Sequence, residues 1–211
     1  MSILRQLSSQ TGDRTETSNR RVAIQCLEDP ELLVEIATGL GDKSQALIGD
    51  CAEVLTMVAT DQPELVAAYA GDLTPLLVSK NTRVRWEAMH ALSLISSLVP
   101  DTMEAFLPRL AEILHSDASV IVRDHATDAL AGYASTSDAA ALAAYPLLDE
   151  MLTLWNGKQA GHALHGMVQV ARRLPSLRHQ IRQIAEEFES FPRPVVRKAA
   201  QKLLKTLDSY P

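Results

Sequence analysis

One alanine returns along this chain at an almost constant interval. Ala52, Ala88, Ala126, Ala163 and Ala200 are separated by 36, 38, 37 and 37 residues. Around them the sequence reads LIGDCAEVL, RVRWEAMHAL, IVRDHATDAL, QAGHALHGMV and VVRKAAQKLL. In four of the five an apolar residue stands four before the alanine (Ile48, Val84, Val122, Val196), and Leu55, Leu92, Leu130 and Leu203 stand three or four after it. The fourth stretch has Gln159 in place of the apolar residue and is the weakest match. Apolar positions so spaced share one stripe of an α-helix, and a small residue in that stripe lets a neighbouring helix come close. A period of this length marks one supersecondary unit repeated.

Each alanine helix is preceded by a second helical pattern. These first helices are expected at roughly 30–40, 63–79, 101–115, 138–155 and 176–190. Pro30, Pro63 and Asp101 stand near three of the starts, as a first-turn proline or an aspartate cap does. Pro75, Pro108 and Pro146 fall inside three of them, in LTPLL, FLPRL and AYPLL. An internal proline removes a backbone donor and kinks the helix. Two helices per repeat, without alternating β-branched runs, predict an all-α chain. One such pair cannot bury its apolar face by itself, but a stack of five makes a continuous core.

This pattern resembles the HEAT-repeat family, whose near relative is the armadillo repeat. The shared marks are two helices in about 37 residues, proline in the first helix, and V-R-x-x-A in the second. The last is present as Val84-Arg85…Ala88, Val122-Arg123…Ala126 and Val196-Arg197…Ala200. The resemblance implies a right-handed α-α superhelix, a solenoid of about five pairs with repeats near 28–62, 63–99, 100–136, 137–174 and 175–211. Residues 18–27 (SNRRVAIQCL) read as an N-terminal capping helix. Residues 1–17 are expected to be a flexible segment, and 18–211 a single repeat domain. Family repeats often carry an aspartate six residues before the motif arginine. Only Asp117, before Arg123, fits here, so the resemblance implies a broken polar ladder.

Charge narrows the choice of partners. The net charge is −6, which disfavours non-specific nucleic-acid binding. Residues 1–150 carry 10 Lys+Arg against 22 Asp+Glu, whereas 151–211 carry 10 against 4, so the C-terminal end is basic. Arg172, Lys198 and Lys202 are candidate contacts for an anion there. No apolar run is long enough for a membrane span, and the first residues lack an apolar block followed by a cleavage site. Cys26 and Cys51 form no paired motif and sit in apolar helical surroundings, as buried free thiols do. A cytoplasmic setting is therefore expected.

In solenoids of this class the second helices line the concave side. Counting from the alanine, positions −2, −1 and +2 are expected to point into the concavity. They hold Asp50, Trp86, Asp124, Gly161 and Lys198, then Cys51, Glu87, His125, His162 and Ala199, then Val54, His90, Asp128, His165 and Lys202. The expected partner-binding face is Asp50, Trp86, Glu87, His90, Asp124, His125, Asp128, His162 and His165. Imidazole and carboxylate one helical turn apart also suit a metal, with Glu87, His90, His125, His162 and His165 as the donors. The open surface and the spacing of neighbouring helices argue against it, so no metal or cofactor is expected.

Three enzyme groups use HEAT-like scaffolds. Deoxyhypusine hydroxylases rely on His-Glu pairs, and no histidine here is followed by Glu. Alkylpurine DNA glycosylases use aromatics and an Asp in a basic groove. Trp86 and Asp124 imitate part of that, but in acidic or neutral surroundings. Phycobilin lyases of the HEAT type have no specific motif here. GDKS (41–44) lacks a phosphate-loop frame and reads as an interhelical turn. The expected function is a non-catalytic scaffold or adaptor that grips a protein or peptide, basic or of mixed charge, in its concave groove. The alternative is a metal- or ligand-binding protein, including a glycosylase-like enzyme, that uses the His/Asp/Glu/Trp cluster.

Overall fold

Every one of the five recurring alanines is completely buried. They lie on five helices: α3 (Gln45–Asp61), α4 (Thr82–Ile95), α6 (Val120–Ala134), α8 (Ala160–Arg173) and α10 (Pro194–Leu207). Three of these helices start on a side-chain cap. Ser44 accepts from the Leu47 N–H at 3.4 Å, Asn81 from the Arg83 N–H at 2.9 Å, and Ser119 from the Val122 N–H at 3.4 Å. The other helices of eight residues or more are α1 (Thr17–Glu28), α2 (Leu32–Gly39), α5 (Pro100–Ser116), α7 (Asp138–Glu150) and α9 (Arg178–Phe188). The computed structural model describes residues 2–210, and among them there is no strand. Met1 and Pro211, which bound the predicted N-terminal segment and last repeat, lie outside the described residues.

The described residues form two compact units, residues 2–102 and 103–210. In the first, α3 packs chiefly on α4 on one side and on α1 on the other. The flexible segment expected before residue 18 is instead folded. Ile3–Gln6 makes a 3-10 turn and Ser8–Thr11 a helical turn. Ile3 and Leu7 enter the core, which offsets the entropy of ordering this stretch. The first helix expected at 63–79 is broken as well. It runs as Pro63–Ala67, then Ala70–Leu73, then a 3-10 segment Thr74–Val78. Pro75 sits in the first turn of that last piece, where its missing N–H is not needed, so the proline restarts the chain where a mid-helix kink was expected.

In the second unit α8 lies between α6 and α10, and α7 packs on both α6 and α8. Pro108 and Pro146 do stand inside helices α5 and α7. The motif arginines make one recurring contact. Arg123 Nη1 donates to the backbone carbonyl of Asp117, and Arg197 Nη1 to that of Phe191 at 2.9 Å. In the first unit Arg85 Nη1 donates to the Ser79 carbonyl at 2.8 Å. All three span six residues and pin the turn before the second helix. The acceptor is main chain, so the side chain there is free to be Ser, Asp or Phe. Asp117 also caps its own turn, accepting from the Ser119 N–H at 2.8 Å.

The fourth repeat has Ala160 where three of the others have that arginine (the first has Gly49), and the chain before it departs from the pattern. Helix α7 ends at Glu150, short of the expected 155. Trp155, Asn156 and Gly157 then adopt left-handed backbone conformations, with φ of 55°, 57° and 67°. For tryptophan this is a true outlier. Its surroundings hold it in place. The Trp155 indole N–H donates to the Leu114 carbonyl at 2.8 Å, and the buried Arg123 guanidinium lies 3.9 Å from the ring centroid. Arg193 Nη1 supplies what Ala160 cannot, donating to the carbonyls of Gly157 and Lys158 at 3.2 and 2.9 Å.

Gly157 is the least replaceable residue of this segment. A β-carbon there would meet Phe191 Cζ at 2.7 Å and the Leu152 carbonyl at 3.1 Å. Gly157→Ala is expected to lower stability by about 2–4 kcal/mol, combining left-handed strain with overpacking. Urea unfolding of the two proteins side by side measures it. An unchanged midpoint would mean that the segment relaxes at no cost.

Candidate functional site

The nine residues expected on the binding face part company in the structure. Asp50 is buried, and its carboxylate is fully engaged. It accepts from the Ser9 N–H at 2.7 Å, from Asn19 Nδ2 at 3.0 Å and from Arg83 Nη2 at 2.8 Å. Burial opposes its ionisation, but the bonds from Ser9, Asn19 and Arg83 outweigh that and hold its carboxyl below the usual range. Glu53 joins the same network, accepting from Asn19 Nδ2 at 2.6 Å and Arg83 Nη2 at 2.8 Å. Asp50 is thus an internal clamp holding the N-terminal turns to α3 and α4. Cys51 and Val54, expected beside it in the groove, are also buried. The reason is α1 and the Ser8–Thr11 turn, which cover the face of α3 that the pattern left open.

Glu87 is likewise buried, at 4% exposure, and cannot serve as a groove contact. Burial first, and then the nearby Glu53 carboxylate, push its carboxyl up to about 7, against the opposing pull of Arg83 and Thr56. Trp86 and His90, on the same helix, are half-buried.

In the second unit the expected residues do come together. His162 Nδ1 donates to Asp128 Oδ1 at 2.7 Å, and His162 Nε2 lies 3.9 Å from Asp124 Oδ1. Asp124 Oδ1 also accepts from Gln159 Nε2 at 2.9 Å, and Asp128 Oδ2 is 4.0 Å from His125 Nδ1. The odd glutamine of the fourth repeat is therefore a completely buried donor that positions Asp124. Asp124, His125, Asp128 and His162 are half-buried, and His165 is exposed. The bond to Asp128 raises the His162 imidazole above its ordinary value. Desolvation, and then the cations Lys202 and His162, lower that of His165. Arg172, Lys198 and Lys202 are exposed, and Arg172 donates to Gln169 Oε1 at 3.3 Å. Among the described residues no three His, Cys, Asp or Glu side chains form a group that could hold a metal.

These side chains border a cavity of about 620 Å³, walled by Asp124, Asn156, Lys158, His162, His165 and Arg193. Asn156, Lys158 and Arg193 are absent from the expected face. They come from the irregular segment and from the loop before α10. The traces they left in the sequence are the Asn-Gly turn signal at 156–157 and the defect of the fourth repeat.

The fold with this geometry is an all-α solenoid of the HEAT- and armadillo-like kind. An engineered protein of known structure matches 100% of this chain and 100% of its own, with a TM-score of 0.74 and 22% identity. A designed armadillo repeat protein, solved in complex with the peptide (KR)4, matches 97% of this chain and 98% of its own, with a TM-score of 0.74 and 19% identity. The archaeal HEAT-like repeats protein from Thermococcus onnurineus NA1 matches 92% and 97%, with a TM-score of 0.54 and 15% identity. At these identities the likeness is one of fold. No protein-family model matches the sequence, and no curated protein does. No helix among the described residues is long and apolar enough to cross a membrane.

Two pH measurements test this electrostatic picture. Glu87 is raised from 4.5 to about 7, so its neutral form favours folding and that stability is lost as pH climbs from about 4.5 through 7. Glu87→Gln is expected to remove this dependence, becoming more stable than the native chain at pH 8 by up to roughly 3 kcal/mol. Equal pH-stability curves for the two proteins would refute the assignment. His162 and His165 are expected to titrate on opposite sides of an ordinary imidazole, His162 higher, when followed by NMR. Asp128→Asn should bring His162 down. Overlapping titration curves in the native protein would contradict the His162–Asp128 bond.

Proposed function

We propose that this chain is a non-catalytic scaffold that binds a peptide or protein on the open side of the second helices of either unit. The observation that carries this reading is the residue pattern on those helices. Their apolar stripe is buried, while Trp86 and His90 on α4, and Asp124, His125, Asp128, His162 and His165 on α6 and α8, keep polar or aromatic surface accessible. Tryptophan, histidine and carboxylates in such a setting supply the aromatic anchors and charged contacts of recognition surfaces. The designed neighbour solved in complex with (KR)4 supports the same reading, since a protein of this fold there holds a peptide.

Asp50 and Glu87 take no part in it, because both are buried. Their withdrawal shifts the preferred partner from basic to mixed charge. The exposed Arg172, Lys198 and Lys202 are the candidate contacts for its acidic portion. A net charge of −6 makes nucleic acid a poor alternative. The two buried free thiols, Cys26 and Cys51, suit a reducing compartment such as the cytoplasm.

Selection from a random peptide display library against the immobilised protein tests the proposal. Selected peptides are expected to lose about tenfold or more in affinity on Trp86→Ala or on Asp128→Lys, with circular dichroism and melting temperature confirming that each variant is folded. Peptides that bind both folded variants as tightly as the native chain would place recognition elsewhere.

A further inference from the structure

The cavity of the second unit carries a more specific message than the face as a whole. Of its charged walls, Lys158 and Arg193 are cations, and Asp124 is a carboxylate already engaged by Gln159 and near His162. His162 and His165 add two imidazoles on one face of α8, a turn apart. The wall is therefore rich in N–H donors and poor in available acceptors. Arg193 is a fixed donor. Its Nη1 is held by the carbonyls of Gly157 and Lys158, and a guanidinium has further N–H groups on Nε and Nη2. The segment residues 151–211 around it carries 10 basic against 4 acidic residues. Val120 and Val195, 37% and 56% exposed, border the same cavity and offer apolar contact beside the charges.

We infer that this cavity receives an oxyanion group of a bound peptide, flanked by an apolar side chain, with Lys158, His162, His165 and Arg193 as its donors. The inference rests on the peptide-scaffold reading and names the chemistry of one subsite within it. A carboxylate or phosphate oxygen between a lysine and an arginine makes charge-assisted hydrogen bonds, stronger than neutral ones. The left-handed run Trp155–Gly157 has a place in this account. It turns Asn156 and Lys158 onto the cavity wall, at a conformational cost of the kind that collects at binding sites. The group comes either from an acidic side chain or from a phosphorylated residue, and the two share the chemistry of an anionic oxygen.

The test is an NMR titration of the isotopically labelled full-length protein, reading the His162 and His165 ring resonances together with all backbone amides. Four short capped peptides serve as probes: alternating Leu and Glu, the same with phosphoserine for Glu, the same with Gln for Glu, and the reverse-charge (KR)4. The expected result is saturable movement of both histidines with the Glu or the phosphoserine peptide, or with both, and none with the Gln peptide. A response to the phosphoserine peptide alone identifies phosphate as the source, and a response to the Glu peptide shows that a carboxylate suffices. Lys158→Gln, a change at an exposed side chain, should weaken that binding about tenfold while leaving the free spectrum intact. Still histidines with both anionic peptides, or native affinity in the Lys158→Gln variant, overturn the inference. Amide shifts by (KR)4 away from these histidines, with no response to either anionic peptide, would overturn the subsite and leave the scaffold reading standing. No shift with any of the four would count against both.

Discussion

The structure depends, within each unit, on small residues buried in the apolar stripe of packed second helices. Ala52, Ala88, Ala126, Ala163 and Ala200 are each fully buried, with apolar residues above and below them on the same stripe. At these positions the packing partner is another helix, and any larger side chain would have to push that helix away. The same rule shows at Gly166, where a β-carbon would come within 2.7 Å of a Leu148 methyl. Everything else in the repeat follows from committing this stripe to the core. The turns must be pinned, the first helix must cover the flank, and one side of the second helix is left for solvent or a partner.

The pinning is done by the motif arginines, and its form explains why the motif tolerates so much variation. A guanidinium donating to a main-chain carbonyl six residues back asks nothing of the side chain at that position. Where the arginine is lost, as at Ala160, the turn is no longer tied from within its own repeat. The chain there goes into a left-handed excursion secured from outside, by Arg193, by Arg123 on the Trp155 ring, and by the indole bond to Leu114. Irregularity and chemistry coincide at this point. The segment freed from the repeat contributes the cavity residues that a regular repeat has no means to place.

What was legible in the sequence was what periodicity governs. The five anchors, the second helices, and the all-α repeat architecture follow from which residues recur at 3.6-residue and 37-residue spacing. The His162–Asp128 bond was not read from the sequence, although both side chains belong to positions that repeat. What periodicity does not govern was read less well. The N-terminal turns look polar, with only Ile3, Leu4 and Leu7 to suggest a core contact, yet they cover α3. That one contact converts Asp50 from a groove residue into a clamp and buries Cys51 and Val54 with it. The break at Thr74 and the early end of α7 likewise depend on local backbone chemistry, namely proline placement and an Asn-Gly turn.

A repeat array with uniform units offers the same chemistry at every step, so its specificity must come from its departures. In this chain the departures are of opposite kinds in the two units. In the first, a polar network of Ser9, Asn19, Asp50, Glu53 and Arg83 closes over α3 and satisfies its own charges internally. Glu87 is buried beside them, its carboxyl pushed up to about 7 by desolvation and then by Glu53. Carboxylates handled in this way are removed from recognition, since a partner would have to break bonds already made. In the second unit the carboxylates are also paired, but with neutral or titratable groups, Gln159 and His162, and Lys158 and Arg193 stand on the same cavity wall, Arg193 bonded to main-chain carbonyls. The proposed subsite draws on those cations, although the chain as a whole is acidic. Net charge describes the surface a distant molecule meets. The pairing inside each site decides which charge it finds on arrival.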